Sequence, residues 1–193
     1  AQLCNLANIS VNKVLEAANT KPYGFQKFNP GIGVGGHCIP IYPRFYLWND
    51  PQATVVRAAR ETNAGMPSHA VSLLNSALGT LQGKKVAVLG ISYRGGVKES
   101  AFSGVFATVA ALKDQGADVV VNDPMYTDEE IKKYGFEPYK IGSSVDGVVL
   151  QADHKEYKTL TEKNFPGVKA IVDGRRSLSS SNFPNTKLRV IGA

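Results

Sequence analysis

Lys85-Val86-Ala87-Val88-Leu89-Gly90 is the stretch of sequence that decides the fold. It is a short, almost wholly apolar run of β-favouring residues that ends at a glycine, which is typical of a strand buried inside a parallel sheet. Helical spacing precedes it, and strand-like and helix-like segments alternate after it. This alternation predicts right-handed β-α-β crossovers. We therefore expect an α/β protein in which a helical segment precedes a doubly wound parallel sheet.

Downstream of this strand, residues 83–193 are predicted to form one Rossmann-like domain. Further strands are expected where short apolar runs recur, and helices where apolar residues are spaced by three and four. The predicted elements are helices over 103–115 and 128–134, and strands over 118–122, 147–151, 170–173 and 188–191.

Upstream, residues 1–82 are predicted to form a separate helical segment with a long loop. Helix breakers crowd residues 20–43, and the apolar side chains among them favour an ordered, functional loop. Further helices are expected over 51–64 and 68–81. Because helical spacing starts at the first residue without an initiating methionine, we expect a fragment of a longer protein. The residues predicted to share one face of its first helix are Leu3, Ala7, Val11, Val14 and Ala18.

The composition excludes several classes of protein. The chain has 193 residues and a net charge of +6, and its basic residues are spread rather than clustered, which argues against a nucleic-acid partner. No apolar run reaches the roughly 18 to 20 residues that span a bilayer, so no membrane partner is expected and a cytoplasmic protein is predicted. Two cysteines are too few for a disulfide framework. A small anionic ligand such as a nucleotide fits the charge better.

The glycine-rich loop over residues 29–40 is the strongest candidate for chemistry. Four glycines within six positions free the backbone to approach a ligand closely, and they lead directly to Cys38. A buried structural cysteine in a tight turn is one interpretation. The other is a positioned thiolate that attacks an electrophilic carbon, which the glycines and the neighbouring His37 favour. Cys4 lies in an apolar helix and is interpreted as structural.

Together these motifs make the sequence resemble the UDP-glucose/GDP-mannose dehydrogenase family, the nucleotide-sugar dehydrogenases. The resemblance covers essentially the whole chain and follows the family's order. The motifs are GIGVGGHCIP at 31–40, ARETN at 59–63, KVAVLGISYR at 85–94, KES at 98–100, NDP at 122–124 and VDGRR at 172–176.

The resemblance implies an enzyme that oxidises C6 of a UDP-sugar to the uronate in two hydride transfers to NAD. Cys38 would be the nucleophile, holding the substrate as a thiohemiacetal and then as a thioester. Residues 1–82 would carry this cysteine and form a homodimer, and residues 83–193 would bind UDP. The resemblance also implies an N-terminal domain outside this chain that would hold most of the NAD. The implied substrate-binding residues are Phe28, Gly33, Tyr93, Arg94 and Arg175, and Lys98 is implied at the cofactor phosphates.

Departures from the family pattern leave parts of this hypothesis open. Tyr42 stands four residues after Cys38, where the family usually has an aspartate that assists hydrolysis. A phenol is a poor general base near neutrality, so another carboxylate or the missing domain would activate water. The loop at 95–97 is shorter than usual, and Lys98 replaces an arginine.

Three functional hypotheses therefore remain open. The residues at 41–43 favour a UDP-N-acetylhexosamine such as UDP-N-acetylmannosamine as substrate, and UDP-glucose is the alternative. A non-catalytic nucleotide-binding module is the rival of another class. No metal site is expected, because His154 has no suitably spaced partner and is interpreted as a capping or packing residue. His69 is interpreted as a surface residue.

Overall fold

A computed structural model describes residues 1–192. The part described is built from α-helices in its first third and from a parallel sheet with its crossovers in the rest. The helices are α1 (Gln2–Ala7), α2 (Val11–Ala18), α3 (Cys38–Asn49), α4 (Thr54–Ala64), α5 (Met66–Leu78), α6 (Val105–Asp114) and α7 (Asp128–Lys133). The strands are β1 (Lys85–Leu89), β2 (Asp118–Asn122), β3 (Glu137–Pro138), β4 (Gly147–Leu150), β5 (Ala170–Asp173) and β6 (Lys187–Val190).

The six strands form one sheet in the order β3-β2-β1-β4-β5-β6, and every pair is parallel. Val88 of β1 lies opposite Val121 of β2 on one side and Val149 of β4 on the other. The strand order reverses between β1 and β4, which is the point where ligands bind at the carboxyl ends of such sheets. The predicted α/β fold with a Rossmann-like parallel sheet is confirmed.

One face of the sheet is covered by helices. Val86 and Val88 of β1 pack on this face with side chains from α5 and α6, and Leu74 of α5 is fully buried there. Helix α5 lies against β4, β5 and β6 as well as α6. The hydrophobic core is therefore continuous between the helical segment and the sheet, across residue 82.

The opposite face is covered by aromatic side chains on short 3₁₀ helices and turns. Ala87 and Leu89 of β1 pack there with Tyr157, Phe165 and Phe183. The 3₁₀ helices span Lys155–Thr159, Glu162–Asn164 and Ser180–Asn182. The sheet is thus wound on both faces, but α-helices supply only one of the two layers.

Two expectations for the first third of the chain were wrong. The single helical face from Leu3 to Ala18 is broken, because Asn8 takes a left-handed conformation (φ 53°) that ends α1 and Ser10 caps α2 through its side chain. The predicted loop also ends earlier than expected, since α3 begins at Cys38. Pro40 lies in the first turn of α3, where no backbone N–H is needed for an intrahelical bond.

The first third of the chain leaves many large apolar side chains exposed. Trp48 of α3, Leu6 of α1 and Val55 of α4 are each at least 80% exposed. Sets of exposed apolar side chains of this kind mark interaction surfaces rather than ordinary surface. Within residues 1–192, no helix is long and apolar enough to cross a membrane.

Candidate functional site

The glycine-rich loop is anchored to the carboxyl edge of the sheet by a buried side-chain amide. Ile32 is fully buried, and its carbonyl accepts a hydrogen bond of 2.9 Å from Nε2 of Gln151, which directly follows β4. Oε1 of the same amide accepts from the hydroxyl of Thr108 in α6 at 2.8 Å. Both ends of the Gln151 side chain are thereby satisfied, so the loop has one position on the sheet.

The glycines of this loop are required by close backbone approach. A Cβ added at Gly35 would lie 2.7 Å from the carbonyl oxygen of Phe102 and 2.7 Å from Cβ of Tyr93. Gly36 has a φ of 87°, and a Cβ there would meet the Tyr93 ring at 3.2 Å. Its N–H donates to the carbonyl of Ala101 at 2.9 Å. A side chain at either position would push the loop off Tyr93.

Cys38 is exposed and is the first residue of α3. The first N–H groups of a helix lack intrahelical partners, and the helix dipole makes this end positive. Cys38 therefore lies at the positive end of α3. His37 precedes the helix without a side-chain capping hydrogen bond.

Arg175 lies in the turn after β5 and hydrogen-bonds to the backbone that follows two other strands, β4 and β1. Its Nε donates to the carbonyl of Gln151 at 3.1 Å, and one terminal nitrogen donates to the carbonyl of Tyr93 at 2.8 Å. Burial lowers the pKa of the guanidinium. The fully buried carboxylate of Asp173 accepts from the N–H groups of Arg175 and Leu178, and burial raises the pKa of Asp173.

The turn after β1 presents Tyr93 and Arg94. Tyr93 is half-buried against the glycine loop, whereas Arg94 is exposed. Nε of Arg94 donates to the Tyr93 hydroxyl at 3.4 Å, and the guanidinium lies 5.8 Å from the centre of the Tyr93 ring. These two side chains therefore stand together at the edge of the sheet.

Buried acceptors hold the backbone of this turn. Asp123, at the end of β2, accepts from the N–H groups of Ile91 at 2.7 Å and Ser92 at 3.1 Å. Burial alone would raise the pKa of Asp123, but hydrogen bonds from His154 and from backbone N–H groups outweigh it and lower that pKa. Gly95 donates to the Asp153 side chain at 2.9 Å.

Lys98 and Phe28 lie apart from this cluster. Both oxygens of Glu130 accept from Nζ of Lys98, at 2.6 and 2.7 Å, and the ammonium lies 5.1 Å from the centre of the Tyr126 ring. Lys98 lines a cavity of about 470 Å³ with Glu130 and Tyr126. Phe28 is 71% exposed ahead of the glycine loop.

A cavity beside Arg175 is lined mainly by polar and basic residues. Its volume is about 240 Å³, and Lys27, Arg175 and Arg176 contribute three positive charges to its wall. Glu16 is the acidic residue of the lining, 4.0 Å from Nζ of Lys27. The net positive lining suits an anionic group.

Of the residues predicted for the site, the structure brings Tyr93, Arg94 and Arg175 together at the carboxyl edge of the sheet. Gly33 lies in the glycine loop and faces Asn63 of α4, and Cys38 stands at the end of the same loop. The sequence analysis did not identify three side chains that organise this edge, namely Gln151, Asp123 and His154. Gln151 and Asp123 directly follow β4 and β2, and that position was the available signal, whereas His154 lies four residues after the end of β4. His154 is buried, in keeping with a packing role, whereas His69 is half-buried and within 3.1 Å of Asn5 Oδ1 rather than on the surface. No cluster of metal-binding side chains occurs in residues 1–192.

The fold and the residues at this edge define the class of protein. It is a Rossmann-like domain with a glycine-rich loop, ending at a cysteine, that packs where the strand order of the sheet reverses. Sequence models of the UDP-glucose/GDP-mannose dehydrogenase family match the chain twice, its central domain at residues 1–65 and its UDP binding domain at residues 87–180. The chain belongs to this family, and the predicted resemblance is confirmed.

Similar proteins carry one recurring name. A UDP-N-acetyl-D-mannosamine dehydrogenase of Methanocaldococcus jannaschii is 30% identical over 97% of the chain and 43% of the relative. The solved structure of a UDP-D-ManNAc dehydrogenase from Pyrococcus horikoshii has a TM-score of 0.81 at 29% identity, covering 99% of this chain and 46% of that one. A UDP-N-acetyl-mannosamine dehydrogenase structure from Staphylococcus aureus has a TM-score of 0.78 at 29% identity, covering 99% and 44%. The chain spans less than half the length of these relatives.

Replacing Gly35 by alanine tests the close approach of the loop. We expect Gly35→Ala to lower the free energy of unfolding by about 1–3 kcal/mol, because the new methyl group overlaps Phe102 and Tyr93. Urea denaturation followed by circular dichroism measures the change. Gly65→Ala is the matched control, since its added Cβ has no contact nearer than 3.6 Å and its φ is −78°. Equal stability of the two variants would contradict the proposed packing.

Proposed function

We propose that this chain is part of an NAD-dependent UDP-sugar 6-dehydrogenase, with residues 1–82 and 83–193 as its cysteine-bearing and UDP-binding parts. The observation that carries the proposal is the docking of the Cys38 loop onto the sheet edge that presents Tyr93, Arg94 and Arg175. A nucleophile and an anion-binding edge are thereby joined by a short, rigid stretch of backbone. An enzyme that oxidises one end of a nucleotide-sugar while holding the other end needs this arrangement.

Cys38 is proposed as the nucleophile. Its sulfur adds to the aldehyde carbon of the half-oxidised sugar, forming a C–S bond while the carbonyl oxygen takes up a proton, which gives a thiohemiacetal. After the second oxidation, water attacks the thioester, the C–S bond breaks, and the uronate leaves as the thiol is restored. The exposed position of Cys38 at the start of α3 supports this role, because the sulfur is accessible and the helix end stabilises its negative charge.

The UDP moiety is proposed to lie along the carboxyl edge of the sheet. Arg94 is exposed and bonded to the Tyr93 hydroxyl by a long hydrogen bond of 3.4 Å that a phosphate would replace, and the cavity beside Arg175 offers further positive charge. The backbone at Gly33 and the exposed ring of Phe28 complete the proposed substrate contacts. A charged diphosphate suits this edge better than a neutral ligand.

We propose NAD as the cofactor, which when bound would accept the hydrides. The described turn after β1 does not fit the pyrophosphate of a dinucleotide, because the N–H groups of Ile91, Ser92 and Gly95 already bond to Asp123 and Asp153. Lys98 is proposed at the edge of the cofactor phosphates on the family resemblance alone, since its ammonium is paired with Glu130 in this structure. No hydride-transfer step is derived from this chain.

Tyr42 is not proposed as the base of the hydrolytic step. Its ring is 62% exposed and lies 6.2 Å from the Phe45 ring, in a packing position along α3. Water activation is assigned to residues of the whole enzyme other than Tyr42.

UDP-N-acetylmannosamine is the proposed substrate. The names of the similar proteins and the residues that follow Cys38 support it over UDP-glucose. The non-catalytic nucleotide-binding module remains the rival function, and the reactivity of Cys38 separates the two. The proposed location is the cytoplasm, where nucleotide-sugars are formed.

A homodimer through the helical segment is proposed as the working form. The observation behind it is the set of large apolar side chains that α1, α3 and α4 leave exposed. A second copy would cover these faces by a twofold-symmetric contact.

Alkylation of the thiols tests the catalytic assignment. We expect iodoacetamide to modify Cys38 at least about ten times faster than Cys4, because thiolate character and access govern the rate. UDP-sugar should slow only the modification of Cys38. Peptide mass spectrometry measures both sites in one sample, with Cys4 as the internal control. Two equally inert thiols would favour the non-catalytic module.

Titration with UDP tests the nucleotide site. We expect Arg94→Ala to weaken UDP binding by about 1.5–3 kcal/mol, the usual range for a hydrogen bond to a charged group, with a loss that shrinks at high salt. Calorimetry measures the affinity. Arg189→Ala on the exposed side of β6 is the matched control and should bind as the unmodified chain does. Unchanged affinity in Arg94→Ala would place the nucleotide elsewhere.

Sedimentation equilibrium tests the dimer. We expect the chain to sediment as a dimer at micromolar concentration, and Trp48→Glu together with Val55→Glu to shift it toward the monomer, because buried charges oppose association. The control is Lys133→Glu on α7, which should leave the dimer intact. A monomeric unmodified chain would overturn the proposal.

A further inference from the structure

The turn that presents Arg94 is fixed at almost every backbone position. Ile91 and Ser92 donate to Asp123, the Tyr93 carbonyl accepts from Arg175, and Gly95 donates to Asp153. The N–H of Gly96 completes the set by donating to Nδ1 of His154 at 3.3 Å. In four of these five hydrogen bonds the acceptor is a carboxylate or carbonyl oxygen. In the fifth it is an imidazole nitrogen, which accepts only while it carries no proton.

The two nitrogens of the buried His154 ring have different neighbours, a backbone N–H and a carboxylate. His154 is 1% exposed, and its Nε2 lies 3.2 Å from Oδ2 of Asp123, which is itself 2% exposed. Because Nδ1 accepts from Gly96, the ring proton of the neutral form belongs on Nε2, where it donates to the carboxylate. The described geometry thus requires the neutral Nε2–H tautomer.

The groups around His154 offer Gly96 no second acceptor. The Tyr157 ring meets the imidazole edge-on at 5.7 Å, and its hydroxyl donates to Asn122. The Asp153 side chain is already bonded to Gly95. Lys155 and Glu156 line the same cavity of about 420 Å³ as His154 and complete the charged groups of this region.

The turn is tightly packed at Gly95, directly before the exposed Gly96. A Cβ added at Gly95 would overlap the carbonyl group of Asp153, so the two backbones are already in contact. Arg94 directly precedes Gly95. Its side chain contacts the Tyr93 side chain, and no hydrogen bond of the turn described above holds it in place. A movement of the Gly95–Gly96 backbone therefore moves Arg94.

We propose that His154 is a positioning residue for the nucleotide. While Nδ1 carries no proton, it accepts the hydrogen bond from the Gly96 N–H and so fixes the orientation of Arg94. A proton on Nδ1 would face the N–H of Gly96, and because two donors repel, the hydrogen bond would break and the turn would be released. Nucleotide affinity then falls on acidification. This inference rests on the proposed function, because it assigns Arg94 to the nucleotide.

The neighbouring carboxyl groups do not share this titration. Hydrogen bonds hold the pKa values of Asp123 and Asp153 below their usual range despite burial, which alone would raise them. Both stay ionised between about pH 8 and about pH 5, the interval in which histidines change charge. These two carboxylates therefore keep their charge across the pH range of the test below and add no pH effect of their own.

Calorimetric titrations with UDP-N-acetylmannosamine at about pH 8, 6.5 and 5 test the proposal on the full 193-residue chain. Both phosphates of this ligand are esterified, so the terminal phosphate of free UDP, which titrates at about pH 6, adds no pH dependence of its own. We expect the unmodified chain to lose about three- to tenfold in affinity on acidification, the value of one hydrogen bond. His154→Asn keeps an acceptor near the position of Nδ1 but does not titrate, so its affinity should stay nearly flat with pH. His154→Leu has no acceptor and should bind weakly at every pH. His69→Asn is the matched control and should keep the pH dependence of the unmodified chain.

Long-range ¹H–¹⁵N spectra of the imidazoles test the same idea without ligand. We expect His154 as the Nε2–H tautomer at pH 8, and the Gly95 and Gly96 amide signals to shift together with its protonation. A pH-independent affinity for the UDP-sugar, a pH dependence that survives in His154→Asn, or the Nδ1–H tautomer would each overturn the inference. Absence of UDP-sugar binding at every pH would instead overturn the proposed function, and the spectra would still decide the role of His154, even if His154→Leu failed to fold.

Discussion

The structure depends on one steric constraint, the close approach of the glycine loop to the carboxyl edge of the sheet. The contact is reciprocal: Gly35 of the loop meets Tyr93 and Phe102, while a Cβ on Gly174 after β5 would lie 2.5 Å from the Ile32 side chain. A Cβ on Gly104 before α6 would overlap the carbonyl group of Ile32. Glycines on both sides of the interface let Ile32 enter the core, and the position of Cys38 follows from that burial.

A continuous core makes this arrangement rigid. Helix α5 follows the helices that carry the loop, yet it packs against β4, β5 and β6 as part of the sheet's own apolar layer. Leu74 and Ala70 of α5 are both fully buried there. The proposed nucleophile and the proposed nucleotide edge are therefore fixed to the same packed layer, and no flexible linker separates them. Any change in their separation would require repacking of that layer.

The sequence alone predicted most strands of the sheet, but it did not predict the side-chain contacts at the edge of the sheet. Apolar runs predicted β2 and β5 with their observed bounds, because both faces of a central parallel strand are buried. It missed β3, which has two residues and includes Pro138, and it missed the start of α3, where Pro40 looked like a helix breaker. Cys38, Tyr93 and Arg175 were identified from motif resemblance. The roles of Gln151 and His154 depend on partners 119 and 31 residues away and carry no local pattern.

The double anchoring of Arg175 has a consequence for the entropy of ligand binding. A guanidinium has five N–H donors, and two of those of Arg175 are committed to the carbonyls of Gln151 and Tyr93. The side chain is therefore already ordered before any ligand arrives, so the rotamer freedom that an exposed arginine loses on binding has been lost during folding. Its remaining donors project in one fixed direction. Recognition at this position is consequently directional, and a lysine could not reproduce it, since an ammonium lacks the planar fork that reaches two carbonyls and a ligand at once.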